Sequence, residues 1–148
     1  MAYISPGQGD QKRLQIAEIE LSGQPAINGY FTFEALKDHN FDSAPTGISG
    51  TSLTLPAGHY MGRVALSITR TSSDQNYQFI LEADGTEAGI RGQTSWYDDF
   101  RADFAEGDFS SSSAITLKVK ALAIENSAPT LDTSTLGYSR LWLWRIAS

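Results

Sequence analysis

Histidine and carboxylate are the side chains most often used to move protons or hold metal, and this sequence is short of the first and rich in the second. It has 2 histidines, His39 and His59, against 17 aspartates and glutamates, and no cysteine. Thiol chemistry and a disulfide framework are therefore excluded. A Ser-His-Asp set needs a serine held by local geometry, and no Gly-x-Ser-x-Gly elbow is present. His39 follows Lys37 and Asp38 in a stretch that reads as a loop, and His59 reads as part of a turn. Neither is expected to be catalytic, and the chain is not expected to be an enzyme. From Trp96 to Phe109 the aromatics Trp96, Tyr97, Phe100, Phe104 and Phe109 interleave with Asp98, Asp99, Asp103, Glu106 and Asp108. Carboxylates of this kind ligate calcium, but the glycine-punctuated alternation of a dedicated calcium loop is missing. The segment reads as a solvated loop pinned by its aromatics, and no metal or cofactor is expected. Aromatics beside carboxylates also suit sugars or protein partners, which makes Trp96 and Tyr97 a candidate recognition loop. Lys118 and Lys120 read as one exposed strand face rather than a basic patch.

The elements that must position these residues are strands. Leu14 and Ile16, then Ile19 and Leu21, alternate with polar residues and slip phase near Ala17, which predicts a bulge or kink there. Residues 30–33 form a short strand with Phe31 and Phe33 on one face. Residues 39–50 are loop-like, with Pro45, Gly47 and Gly50. Residues 52–55 make a brief strand before a turn at Pro56 to Gly58. The clearest alternation runs from Tyr60 to Thr69. It sets Tyr60, Gly62, Val64, Leu66 and Ile68 against Met61, Arg63, Ala65, Ser67 and Thr69. Tyr77, Phe79, Leu81 and Ala83 repeat it, Asp84-Gly85 is a hairpin signal, and residues 87–93 return weakly. Ser110 to Ser113 reads as a connector. Ile115, Leu117, Val119 and Ala121 then form another strand, whose far end is apolar on the second face through Leu122 and Ile124. The expected core is Val64, Leu66, Ile68, Phe79, Leu81, Leu117 and Val119. No helix and no internal repeat is predicted, and eight or so short strands with Gly/Pro turns indicate a sandwich, jelly roll or barrel.

A length of 148 residues suits one domain with a self-sufficient core. Residues 1–12 read as an extended arm, because Pro6, Gly7 and Gly9 oppose regular structure, with Tyr3 and Ile4 as a small apolar anchor. Residues 13–148 are the domain. The net charge of -6 argues against a nucleic acid partner and favours solubility. No run approaches the roughly 20 apolar residues of a membrane-spanning helix, and no apolar signal core is expected near Met1.

The last strand, from Gly137 to Ile146, concentrates the apolar surface. Tyr138, Arg140, Trp142, Trp144 and Ile146 share one face; Ser139, Leu141, Leu143 and Arg145 share the other. Both faces are apolar in the middle, so both must be covered. A second sheet covers one, with Leu141 and Leu143 expected inside. The face of Trp142 and Trp144 is left for a neighbouring subunit, or for a loop or the N-terminal arm of the same chain.

Three stretches carry a family resemblance: residues 50–60 running into the long strand, residues 77–85, and residues 136–146. The Leu55-Pro56-Ala57-Gly58-His59-Tyr60 pattern before an alternating strand, with an aromatic last strand, resembles the tumour-necrosis-factor/complement-type jelly roll over roughly residues 13–147. The resemblance implies an all-β, two-sheet antiparallel sandwich that assembles as a homotrimer. Its last strand would then supply the interface through Tyr138, Trp142, Trp144 and Ile146. Signalling members need a secretion route, which is not expected here, and jelly-roll enzymes carry a histidine-carboxylate metal set that is not found. Bacteriophages use the fold in virion proteins, and a short, acidic, cysteine-free chain with an arm resembles the head-decoration (cement) type. Such a protein is made in the host cytoplasm and binds the major capsid protein on the outer surface of the phage head. Its docking arm here would be Tyr3, Ile4 and Pro6. The alternative is the receptor-binding tip of a tail fibre or spike that recognises a host surface glycan or protein, although such tips usually end a longer chain with a shaft.

Overall fold

The computed structural model describes residues 14–69, 76–95, 101–124, 130–131 and 139–147. Among them are ten strands: β1 (Gln15–Ser22), β2 (Thr32–His39), β3 (Leu53–Leu55), β4 (Gly58–Thr69) and β5 (Asn76–Ala83), followed by β6 (Thr86–Ser95), β7 (Arg101–Ser111), β8 (Ile115–Ile124), β9 (Thr130–Leu131) and β10 (Arg140–Ala147). The order is β2-β1-β10-β4-β7-β6-β5-β8-β3, with β9 paired to β4, and the pairings are antiparallel. The path folds into two layers, β2-β1-β10-β4-β7 and β6-β5-β8-β3. They meet at the β6–β7 corner, where Ile90 faces Glu106. That corner requires bare backbone. A Cβ on Gly89 (φ 83°) would lie 2.0 Å from the Glu106 carbonyl oxygen, and one on Gly107 would lie 2.4 Å from that of Ala88.

Alternation decides what lies between the layers. Val64, Leu66, Leu141 and Leu143 from the first sheet meet Phe79, Leu81, Leu117 and Val119 from the second in one core, all fully buried. The expected core is therefore found, except that the side chain of Ile68 lies outside the described residues. Phe31 and Phe33 point inward as read, and Leu141 and Leu143 do too. Asp84 and Gly85 adopt φ of 49° and 81°, as a two-residue hairpin turn demands. The Asp84 carboxylate also accepts a hydrogen bond from Thr116 N at 2.8 Å.

Four expectations are corrected. The acidic segment is not all loop, because residues 101–111 form β7. Its inward positions are Ala105, Gly107 and Phe109, while Phe104 points out, so small residues inside and an aromatic outside hide the alternation. The strand expected at residues 30–33 instead starts at Thr32 and runs to His39, where charged side chains occupy a sheet edge that needs little apolar cover. Near Ala17, β1 does not slip phase: Ala17, Ile19 and Leu21 all face inward, and Leu14 and Ile16 are simply on the outward side. The irregularities lie in its pairing with β2, between Glu18 and Ile19 and between Glu20 and Leu21. Lys118 and Lys120 do share the outer face of β8, but they are only partly exposed, because the Tyr30 ring sits 4.5 Å and 5.9 Å from their ammonium groups. Glu82, almost fully buried, ties this cluster together by accepting from Tyr30 at 3.2 Å and pairing with Lys120 at 3.6 Å. The arm, with Tyr3, Ile4 and Pro6, lies outside the described residues.

Candidate functional site

Because alternate residues of β1, β10, β4 and β7 fill the core, the remaining ones form a continuous outward face, and strand register arranges them in rows. Ile16 lies beside Trp144, then Met61, then Asp108. Glu18 lies beside Trp142, then Arg63, then Glu106. Glu20 lies beside Arg140, then Ala65, then Phe104. The first row is apolar through three strands, the second is charged around a tryptophan, and the third ends on an exposed phenylalanine.

The charges on this face are matched and hold the aromatics. Arg63 donates to Glu106 at 2.6 Å and lies 4.5 Å over the Phe104 ring. Arg140 donates to Glu18 at 2.9 Å and lies 5.3 Å over the Trp142 ring. Lys37 pairs with Glu20 at 3.2 Å. Partly solvated pairs of this kind are worth about 0–1 kcal/mol each, so their effect is orientation more than stability. Between them stays apolar surface: Met61 and Phe104 are each 42% exposed, Ile16 is 38% exposed, and Ile146 is 51% exposed at the register shift between Arg145 and Ala147.

Behind the face, Arg145 is wedged into the sheet end. It donates to the Ala57 carbonyl at 2.5 Å and to Gln15 at 3.2 Å, and its guanidinium lies 5.9 Å from the Tyr60 ring. Its Nε is buried without a hydrogen-bond partner among the described residues. Tyr60 is fully buried, donates to the Pro56 carbonyl at 2.8 Å and stacks on Phe109 at 5.7 Å. Burial pushes its phenol above the ordinary tyrosine range, partly offset by the positive charge of Arg145.

Among the described residues, two grooves flank the face. One, of about 380 Å³, is lined by Ile16, Glu18, Asp38, His39, Asn40 and Trp142. The other, of about 360 Å³, opens beside the β5–β6 hairpin and includes Asp84, Glu87 and Asp108. His59 belongs to β4 rather than to a turn, and its Nε2 meets Asp108 at 2.6 Å, both side chains well exposed. Among the described residues no hydroxyl hydrogen-bonds to that pair to make a nucleophilic set, and no group of three or more metal-ligating side chains gathers.

Of the residues read from sequence, Trp142 and Trp144 lie together on the outward face, partly buried, with Ile146 at its end. Tyr138, Trp96 and Tyr97 lie outside the described residues. Sequence reading missed Ile16, Met61, Arg63, Phe104 and Glu106 as members of the same face. The signal was present in the outward positions of the strand from Tyr60 to Thr69, but only strand order puts them beside the tryptophans. Asp38, His39 and Asn40 were hidden by the loop-like composition around them.

Two sheets with the last strand set between the first and the fourth define the tumour-necrosis-factor/complement-type jelly roll, the fold that the resemblance implied. Among solved structures, murine APRIL superposes with a TM-score of 0.61 at 12% identity, covering 90% of this chain and 100% of that one. Eiger TNF from S. frugiperda gives 0.60 at 13% identity, covering 93% and 95%. The globular domain of zebrafish complement 1qA protein gives 0.58 at 9% identity, covering 90% and 95%. No protein-family model and no curated protein matches the sequence.

Proposed function

We propose that this chain is a non-catalytic assembly module that forms a homotrimer through the outward face of its first sheet and coats the outside of a phage head. The observation that carries the reading is the partly open Trp142–Trp144–Met61–Phe104 field, ringed by ion pairs that are already matched within one chain. A neighbour therefore need supply apolar surface, not charge. A tryptophan carries about 150–250 Å² of side-chain area. The share still open on these partly buried rings is worth at most about 2 kcal/mol each at about 25 cal/mol per Å². Three copies in closed symmetry bury six such rings together.

The placement on a head is supported by charge. A trimer carries 3 × -6 = -18, which suits an outer surface better than contact with packaged DNA. Residues 1–12 are proposed to help docking: one arm loses entropy on ordering and binds weakly, but three act at high effective concentration.

The test has two stages. Light scattering at micromolar concentration should give the trimer mass, and Trp142→Glu should lower it, because an unpaired buried carboxylate is costly. A monomer mass for the unaltered chain rejects the assembly. Full-length protein should then decorate emptied heads, and deletion of residues 1–12 should weaken decoration while leaving trimer and melting temperature intact. Binding to host cells with no binding to heads would replace this reading with the receptor-binding one.

A further inference from the structure

We propose that the outward face of the second sheet holds an acidic polypeptide segment, with a carboxylate of that segment on the Lys118 ammonium and an apolar side chain of it against Leu122 and Ile27. This face belongs to the layer opposite the tryptophans, so a homotrimer built on the first sheet leaves it open. Nothing in this proposal depends on that trimer or on a phage head.

Strand register sets out the charges. Glu87 on β6 lies beside Glu82 on β5, and Glu82 lies beside Lys118 on β8. Cross-strand pairing alone would join Glu82 to Lys118. The side chains pair otherwise. Arg91 donates to Glu87 through two nitrogens, at 2.7 Å and 3.0 Å. Glu82 accepts from the Tyr30 hydroxyl through one oxygen at 3.2 Å and pairs with Lys120 through the other at 3.6 Å. The Asp84 carboxylate is turned onto Thr116 N at 2.8 Å. These carboxylates are engaged elsewhere, and Lys118 makes no ion pair among the described residues. An ammonium only donates, so the position calls for an anion. With Glu82 and Asp84 on the same face, one carboxylate suits it better than a phosphate dianion.

The Lys118 ammonium is also held in place before binding. It lies 4.5 Å from the centre of the Tyr30 ring. Tyr30 is fixed at both ends: its hydroxyl is tied to Glu82, and its backbone lies opposite Lys120 in an antiparallel bridge. Phe31 N donates to the Val119 carbonyl at 2.9 Å, and Ala121 N donates to the Gly29 carbonyl at 3.0 Å. A cation already steadied by an aromatic ring loses less entropy when an anion arrives.

Apolar surface continues along the same strand. Leu122 follows Lys118 and Lys120 on the outer side of β8 and is partly exposed. Ile27 is 53% exposed at a turn whose next residue, Asn28, donates its N–H to the Ala121 carbonyl at 2.8 Å. Alternate side chains of a strand stand about 7 Å apart, so an extended segment laid along β8 matches the Lys118–Lys120–Leu122 spacing with acidic and then apolar side chains. The apolar end separates a polypeptide from a free inorganic anion. The exposed Asp84 and Glu87 oppose an anionic bilayer, which would press on the whole face.

The experiment is protein-observed NMR and calorimetry on the full-length protein, titrated with acetyl-Glu-Leu-Glu-Leu-Glu amide. The contrasts are the same peptide with serine for leucine, the same peptide with lysine for glutamate, inorganic phosphate, and phosphatidylcholine vesicles with and without phosphatidylserine. The acidic leucine peptide should bind at about millimolar affinity or tighter, shift the Tyr30 and Lys118 signals, and weaken as salt rises. The serine peptide should bind more weakly and the lysine peptide not at all. Lys118→Gln should weaken binding about fivefold or more, and Lys118→Arg should restore it. Lys37→Gln, on the other sheet, should leave it unchanged. Two variants separate this geometry from a general attraction between lysine and acid. Glu82→Gln leaves both lysines without a counter-ion and should tighten binding about threefold or more. Tyr30→Phe removes no charge but frees a Glu82 oxygen for Lys118, and should weaken it. Absence of shifts at Tyr30 and Lys118 overturns the proposal, as does binding indifferent to Lys118→Gln or weakened by Glu82→Gln. Tighter binding of phosphate or of anionic vesicles than of the peptide also overturns it, by assigning the face to another anion. A monomer that binds the peptide would sink the assembly reading and leave this one standing; a head-decorating trimer that ignores the peptide would do the reverse.

Discussion

Adding one methyl group at Gly92 is expected to be among the costlier small changes in this protein. Gly92 and Phe79 are register partners on β6 and β5, and the Phe79 ring lies across the glycine. A Cβ at Gly92 would sit 2.2 Å from the ring's Cζ and 2.6–2.7 Å from its two Cε atoms, whereas ordinary contact begins at 3.4 Å. The shortest overlap is therefore 3.4 − 2.2 = 1.2 Å. Phe79 is fully buried, so the ring has no solvent side to swing into. Overpacking on this scale costs about 2–3 kcal/mol. For a domain of this size that lowers Tm by about 4–12 °C. The assay is urea unfolding and thermal melting at fixed protein concentration, since association shifts both. Phe79→Leu should cost about 1–2 kcal/mol alone by leaving a cavity. Combined with Gly92→Ala it should cost less than the sum by at least about 1 kcal/mol, because the smaller side chain vacates the space the methyl needs. Gly85→Ala is the control: its Cβ meets nothing within 4 Å, and only its φ of 81° opposes it. That strain is worth about 1–2 kcal/mol and is indifferent to Phe79. Strict additivity of Gly92→Ala and Phe79→Leu would refute the steric reasoning.

Tyr60→Phe removes the hydrogen bond to the Pro56 carbonyl and should cost about 1 kcal/mol at neutral pH. Because burial raises the phenol's pKa above 10.0, the folded state keeps its proton longer than the unfolded chain. The stabilisation is full below about pH 10 and is lost as pH rises through the folded value, so urea midpoints should fall less steeply above pH 10 in the phenylalanine variant. Gly107→Ala drives a Cβ to 2.4 Å from the Ala88 carbonyl and should force β6 off β7, with broad loss of amide-exchange protection in both strands. Leu143→Ala, at a fully buried site against the second sheet, should cost about 2–5 kcal/mol by chemical denaturation.

What could be read from sequence follows from which face of each strand carries the message. Val64, Leu66, Phe79, Leu81, Leu117 and Val119 were legible because one buried face imposes a period of two. The Asp84-Gly85 turn was legible because its positive φ values leave few residue choices. The outward direction of Trp142 and Trp144 followed from the opposite parity of Leu141 and Leu143. The strand β7 was not legible, because Ala105 and Gly107 fill inner positions beside Phe109 and its aromatic Phe104 faces out. The face itself was only half legible. Met61, Arg63 and Phe104 join Trp142 and Trp144 through register between strands far apart in the chain, and no local pattern encodes register. The groove beside Asp38 needed the extension of β2 to His39, which its charged composition concealed.

Strand β10 lies between β1 and β4, so a segment made well after both of its neighbours is inserted into the middle of the first sheet. Until it arrives, Ala17 and Ile19 on one side and Val64 on the other have no neighbouring strand to complete their layer. At a synthesis rate of about 5–20 residues per second, β1 waits on the order of ten seconds for its partner. During that interval two unpaired strand edges are open to the wrong chain, and several nascent chains on one message are close enough to supply it. The pairing of first strand with last also spans nearly the whole sequence, which places this protein among slow folders governed by long loop closure. A cell making it in quantity would gain most from a chaperone that holds the chain until Leu141 and Leu143 emerge.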